Sequence, residues 1–296
     1  MNTIDLHTHS TGSDGTFTPT ELVLEARRVG LSALALTDHD SVSGIDEFVR
    51  AGEANGIETV PGVELSTEYE DTEIHVVGLY VDPSNETLLA QLEAFRDNRD
   101  NRNLKMIDRL REEGFSITAE EIYARNPDSV VARPHIARYL VDTHQVKDMQ
   151  TVFNEYIGDG CICYVDRYKI TPMRAVELIH AAGGVAILAH PCLYHIPENT
   201  LLRMIREMKA VGLDGIEALY SCNEENDERY YRQIAADFGL LLSGGSDFHG
   251  TNKPHIQLGS GKGNLTVPYE FLEKIRDYRT LQSMADKIVV PIRTNP

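Results

Sequence analysis

No apolar run in this chain approaches the roughly 20 residues that a membrane helix needs, so no membrane partner is expected. The four cysteines, Cys161, Cys163, Cys192 and Cys222, show no CxxC spacing, and no charged-then-apolar leader opens the sequence. Neither a disulfide framework nor secretion is supported, and a reducing cytoplasm is the expected compartment. Positive charge is scarce: 28 Lys and Arg stand against 46 Asp and Glu, a formal net charge of −18. A nonspecific grip on a phosphate backbone needs many cationic contacts, so long nucleic acid is not an expected partner. A small phosphorylated substrate remains compatible, because bound divalent cations reverse the local field of a carboxylate-rich pocket. Fixed-period repeats and low-complexity segments are also missing, and 42% hydrophobic residues over 296 positions suffice for one large core or two modest ones.

What is present is an alternation of short apolar runs with amphipathic stretches. Thr18-Pro19-Thr20-Glu21 is a capping box with Pro at the first helical position; Leu22, Ala26 and Val29 supply an apolar stripe, and Gly30 ends the helix. Leu31 to Thr37 is nearly all apolar, as a strand covered on both faces requires. A helix from about Ser43 to Asn55 and strands at Ile57 to Leu65 and Ile74 to Val81 follow. Residues 83–160 then read as several helices, including Leu88 to Glu113 and Pro134 to Asp142. Alternation resumes with a helix from Thr171-Pro172, strands at Val185 to Ala189, Gly215 to Leu219 and Leu240 to Ser243, and helices between them. The pattern predicts an α/β fold, a (β/α) barrel of about seven strands, with residues 1–82 and 161–296 forming the barrel and 83–160 a helical insertion covering the active site. A doubly wound open sheet is the alternative.

The barrel is favoured by where the potential metal ligands fall. His7 and His9 stand two apart on an apolar strand and so share a face. Asp14 stands close behind them, and His39, Glu64, His75, His190, Asp247 and His249 recur at or just beyond the ends of later apolar runs. A closed barrel gathers such loops at one rim, whereas an open sheet scatters them. Nitrogen and oxygen donors without cysteine suit divalent Mn, Fe or Zn, and these nine groups exceed one tetrahedral site, which implies two or three ions.

The motifs His7-Thr8-His9 with Asp14, Thr37-Asp38-His39-Asp40, Pro61-Gly62-Val63-Glu64, His75, Ala189-His190-Pro191 and Ser246-Asp247-Phe248-His249 together resemble those of the PHP (polymerase and histidinol phosphatase) superfamily, especially its stand-alone metal-dependent phosphoesterases. The resemblance covers most of the chain. It implies a trinuclear site on a distorted (β/α)7 barrel, with His7, His9, Glu64 and Asp247 on one ion, Glu64, His75 and His190 on a second, and Asp14, His39 and His249 on the third. His39, Glu64 and Asp247 would be the catalytic residues, His39 also orienting the leaving group. The motifs contain no activated Ser or Cys nucleophile, in keeping with chemistry that needs no covalent enzyme intermediate, and Cys192 beside His190 reads as a packing residue.

In Ala132-Arg133-Pro134-His135 an Arg precedes a helix start, where a bidentate guanidinium and free first-turn N–H groups suit phosphate. The resemblance makes Arg133 and His135 phosphate contacts; Lys169 and His195 are further candidates for substrate binding. The leading expectation is a hydrolase removing a phosphate monoester from a small nucleotide, the 3′-phosphate of a nucleoside 3′,5′-bisphosphate, with 5′-to-3′ trimming of short RNA. The alternatives are a histidinol-phosphate phosphatase and a non-catalytic metal-binding module; an amidohydrolase is disfavoured by the third ligand group and Arg133.

Overall fold

A computed structural model of the chain describes residues 2–125, 131, 133–166 and 169–288, with side chains as far as 284. Contacts divide it into two compact units, Met1–Leu89 with Ile170–Pro296, and Ala90–Lys169.

The first unit is an α/β barrel. Its order is β1 (Thr3–Asp5), α1 (Pro19–Val29), β2 (Ala33–Leu36), α2 (Ile45–Asn55), β3 (Glu58–Tyr69) and β4 (Thr72–Leu79). The helices α3 (Glu86–Glu112), α4 (Ala119–Arg125), α5 (Arg133–Asp142) and α6 (Met149–Val152) intervene. After them come α7 (Pro172–Ala181), β5 (Val185–Leu188), α8 (Glu198–Ala210), β6 (Gly215–Tyr220), α9 (Asp227–Phe238), β7 (Leu241–Gly245), β8 (Val267–Pro268) and α10 (Tyr269–Ile288). Among the described residues the strands form one sheet in the order β7-β6-β5-β4-β3-β2-β1-β8. The backbone N–H groups of Leu6, His9 and Asp247 donate to the carbonyls of Gly244, Phe248 and His7, at 3.2, 2.9 and 2.8 Å. These bonds join β1 to the end of β7 and nearly close the barrel, as the sequence pattern predicts.

Local signals act as expected at α1: the Thr18 side chain accepts from the Glu21 N–H, Glu21 answers to the Thr18 N–H, and Gly30 caps the far end at φ 84°. The buried stripe is Pro19, Leu22, Val23 and Ala26. Val29, on the same helical face by its spacing, is the last residue of α1 and is exposed. β2, β5 and β6 are buried along their whole length, which explains their unbroken apolar runs.

The departure from simple βα alternation is β4, which runs antiparallel to both β3 and β5. Its cause is local. Only Glu70 and Asp71 separate Tyr69 from its partner Thr72, and both take left-handed backbone, at φ 47° and 63°. Two positive φ values in a two-residue loop make a hairpin, and a hairpin can only reverse the chain.

The Ala90–Lys169 unit carries its own apolar cluster, with Met106, Leu110, Ile117, Ile122, Ile136, Leu140, Val152 and Ile157 buried and helical elements around it.

Barrel closure makes a testable demand at Gly245. A Cβ there would lie 2.4 Å from the Cβ and 2.5 Å from the backbone nitrogen of His7, and neither can yield without moving β1. Gly245→Ala should cost about 1–3 kcal/mol as an overpacking substitution. A lowered denaturant midpoint with an unchanged m-value is the expected result.

Candidate metal centre

The donors sit at one rim because the strand ends meet there. His7 and His9 follow β1, His39 follows β2, His190 follows β5, and Asp247 and His249 follow β7. Glu64 lies within β3, where a parallel bridge pairs it with His39. Because β4 is reversed, His75 near its start reaches the same rim, placed diagonally to Glu64 across the Ser66–His75 register. The loop carrying Asp14 is ordered by Asp38, whose carboxylate accepts from the Ser10 N–H, the Ser10 hydroxyl and the Ser13 hydroxyl at 2.7, 2.6 and 2.6 Å. Gly15 is needed in this loop, since a Cβ would lie 2.4 Å from the His9 carbonyl oxygen.

Glu64 is the centre. Its Oε1 lies 2.9 Å from His75 Nδ1 and 2.9 Å from His190 Nε2. Its Oε2 lies 3.2 Å from His7 Nε2, 3.3 Å from His9 Nε2 and 2.9 Å from His39 Nδ1. Asp247 Oδ1 is 3.1 Å from His9 Nε2 and 3.3 Å from His249 Nδ1. Asp14 Oδ1 is 3.2 Å from His249 Nε2 and 3.9 Å from both His9 Nδ1 and His39 Nε2. Ligand-type atoms therefore fall into four overlapping groups: His9, Asp14, His39 and His249; His7, Glu64 and His190; His7, His9 and Asp247; and His39, Glu64 and His75. All nine residues singled out in the sequence come together. The grouping is more shared than the resemblance implied, with His9 bordering two groups and His39 lying close to Glu64 as well as to Asp14.

Unpaired buried atoms show that the cluster suits cations. His7 Nε2, both ring nitrogens of His9, His39 Nδ1, Glu64 Oε2 and His190 Nδ1 are buried without hydrogen bonds of acceptable geometry. A converging set of orphaned nitrogen and oxygen atoms is costly unless a cation completes it. Burial alone would raise the Glu64 carboxyl, but the charges of His7, His75 and His39 and the hydrogen bond of His190 hold it well below the usual carboxylate range. Burial likewise works against protonating His75, yet Glu64 and then Glu73 push it up to about 10. His9 is shifted down, by burial first and then by its neighbours His39 and His249.

His190 and Asp247 both occupy positive φ, at 20° and 56°. Strain of this kind persists where surrounding bonds over-determine it. Here the His190 N–H donates to Glu217 Oε2 at 2.7 Å and the Asp247 N–H to the His7 carbonyl.

Several residues that shape the centre were not singled out in the sequence. Glu217, buried on β6, also contacts His7 Nδ1 at 3.0 Å, which leaves His7 Nε2 facing the cluster and fixes the ring as a carboxylate behind a ligating histidine does. Its signal was a Glu inside the apolar run Gly215 to Leu219. Asp5 binds the Ser246 and Gly259 N–H groups at 2.8 Å each, and its burial raises the carboxyl to about 6 against these bonds. Tyr220 and Lys253 each lie 2.7 Å from Asp247 Oδ2, and no spacing rule flags them.

The residues expected to bind substrate are placed within their own units. Ala132 lies outside the described residues; Arg133 opens α5, pairs with Asp159 at 2.7 Å and lies 5.6 Å from the Tyr164 ring. His135 and Lys169 are partly buried in the same unit. His195, in the barrel unit, is exposed at φ 49° just after Tyr194, whose hydroxyl binds the Ala189 carbonyl at 2.5 Å.

Among the described residues no helix is long and apolar enough to cross a membrane. Residues 5–126 match the PHP domain family. The chain is 40% identical to a Haemophilus influenzae protein named 5′-3′ exoribonuclease, over 83% of this chain and 89% of that one. It is 37% identical to the 3′,5′-nucleoside bisphosphate phosphatase of Chromobacterium violaceum, over 84% and 88%. A solved structure from Bifidobacterium adolescentis, described as a metal-dependent phosphoesterase, superposes with a TM-score of 0.76 at 32% identity, covering 93% of this chain and 95% of that one. The chain belongs to the PHP family and is a metal-dependent phosphoesterase.

Proposed function

We propose that this enzyme removes the 3′-phosphate from nucleoside 3′,5′-bisphosphates and trims short RNA from its 5′ end. The observation that carries the metal-dependent chemistry is the convergence of orphaned imidazole and carboxylate atoms on Glu64. Relatives at 37–40% identity, named for a nucleoside bisphosphate phosphatase and a 5′-3′ exoribonuclease, support the substrate class. The donor set, complete at every expected position, disfavours a non-catalytic module, and these names disfavour histidinol phosphate.

Two or three divalent ions of the Mn, Fe or Zn class would be held by His7, His9, Asp14, His39, Glu64, His75, His190, Asp247 and His249. When bound, they would supply Lewis-acid polarisation of the phosphoryl group and an activated water. Glu64 and Asp247 would be the carboxylates holding the ions at the middle of the cluster, and His39, partly exposed, would also orient the leaving group. Arg133 and His135 are proposed to hold the non-reacting phosphate, with Lys169 and His195 as further substrate contacts. In support, Arg133 sits at a helix start, and its partner Asp159 is largely exposed and thus exchangeable for a phosphate.

Initial rates on a nucleoside 3′,5′-bisphosphate, a mononucleotide, histidinol phosphate, a short 5′-phosphorylated oligoribonucleotide and an aryl phosphate test this. The bisphosphate should give the highest kcat/KM, and faster turnover of histidinol phosphate would overturn the substrate assignment. Arg133→Ala should lower kcat/KM on the bisphosphate about 10²-fold while affecting the aryl phosphate much less, as loss of a charge-assisted contact to a second phosphate requires. Equal losses on both would place Arg133 at the reacting phosphoryl group.

A further inference from the structure

The two oxygens of Asp247 have different surroundings. Oδ1 faces His9, His249 and, at 3.8 Å, His7. Oδ2 takes two donors, the Tyr220 hydroxyl at 2.7 Å and the Lys253 ammonium at 2.7 Å. A carboxylate oxygen has two lone pairs, so these bonds saturate Oδ2 and leave Oδ1 as the oxygen available for ligation. The donors come from separate places, Tyr220 from the end of β6 and Lys253 from the segment after the short turn Gly250–Asn252. Asp247 itself is buried, left-handed and tied by its N–H to His7, so its carboxylate plane is determined from both ends.

We propose that Lys253, together with Tyr220, is a positioning residue that fixes Asp247 as a one-oxygen metal ligand through Oδ1. This rests on Asp247 being a metal ligand. An ammonium close to a cation site repels the ion, so if Lys253 acted through its charge alone, removing it would strengthen metal binding. The positioning role predicts the opposite sign. It also differs from a substrate-binding role, in which Lys253 would leave Asp247 for a phosphate and its loss would raise KM without changing metal affinity.

The test is calorimetric titration of Mn²⁺ into metal-stripped wild type, Lys253→Met, Lys253→Arg, Tyr220→Phe and Asp247→Asn, with kcat and KM measured on the metal-loaded proteins. Lys253→Met should weaken Mn²⁺ binding at least tenfold, the lower end of the effect of removing a partner behind a metal ligand, and lower kcat at near-constant KM. Lys253→Arg should restore most of the loss, and Tyr220→Phe should act in the same direction as Lys253→Met. Unchanged or tighter Mn²⁺ binding by Lys253→Met would overturn the proposal, as would a change confined to KM. Should Asp247→Asn bind Mn²⁺ with wild-type stoichiometry and affinity, the ligand assignment of Asp247 would fail instead.

Discussion

Replacing His9 by Ala, or stripping divalent metal with a chelator, is expected to lower phosphate-ester hydrolysis by about 10³-fold or more. His9 is wholly buried, both its ring nitrogens lack hydrogen bonds, and it borders two of the four ligand groups. Its loss should disturb both of these groups. Metal polarisation of a phosphoryl group is worth several kcal/mol, and each 1.4 kcal/mol is about tenfold in rate. The fold should survive, because the barrel core is made by Ile4, Leu34, Val60, Ile74, Ile187 and Ile216, none of which belongs to the donor cluster. The measurement is turnover beside metal content, with circular dichroism as the control for folding; re-addition of metal should rescue the stripped wild type but not His9→Ala. Full activity of the stripped protein would exclude a metal-dependent reaction.

A second large effect is expected in the pH dependence of metal binding. In the metal-free protein burial opposes protonation of His7, His39 and His75, but the carboxylates around them, Glu64 first and then Glu217, Asp14 and Glu73 respectively, outweigh it and shift all three upward, His75 to about 10. A ligating imidazole must be neutral, so metal entry has to expel these protons. Apparent affinity should therefore rise with pH, by about tenfold per pH unit for each proton released. The stability linkage runs the other way. For a histidine whose folded pKa is raised, the stabilisation is fully present below the unfolded value of about 6.5 and is lost as pH rises through the folded one. The metal-free protein should lose Tm between about pH 6.5 and 10, while the gain in Tm on adding metal should grow over that window. Titration in buffers of different ionisation enthalpy counts the protons released. Equal affinity at pH 6 and pH 9, with no proton release, would mean that these imidazoles are already neutral in the metal-free state.

The legible parts of the molecule were those encoded in short stretches. The capping box at Thr18–Glu21, the apolar runs of β2, β5 and β6 and the helical block after β4 each depend on neighbours in sequence, as do the donors placed at strand ends. The reversal of β4 was less visible, because its turn uses Glu70 and Asp71 in left-handed backbone where Gly or Asn would have announced a hairpin. Val29 shares the helical period of Leu22 and Ala26 yet is exposed, since period alone does not say how far along a helix burial extends.

By itself, the sequence determined the alternation of elements, the donor types and their attachment to strand ends, because secondary-structure period and side-chain chemistry are properties of residues close together in the chain. Only the tertiary structure decided which donors share a centre. Barrel closure brings His7 and Asp247 together across the whole chain, and the antiparallel β4 delivers His75 to Glu64. It also decided the contacts of Glu217, Tyr220 and Lys253, ordinary residues in sequence, with the buried side chains of His7 and Asp247. The physical reason is that metal coordination and its supporting bonds act over a few ångströms in space, and distances on that scale between remote segments exist only once the sheet has closed.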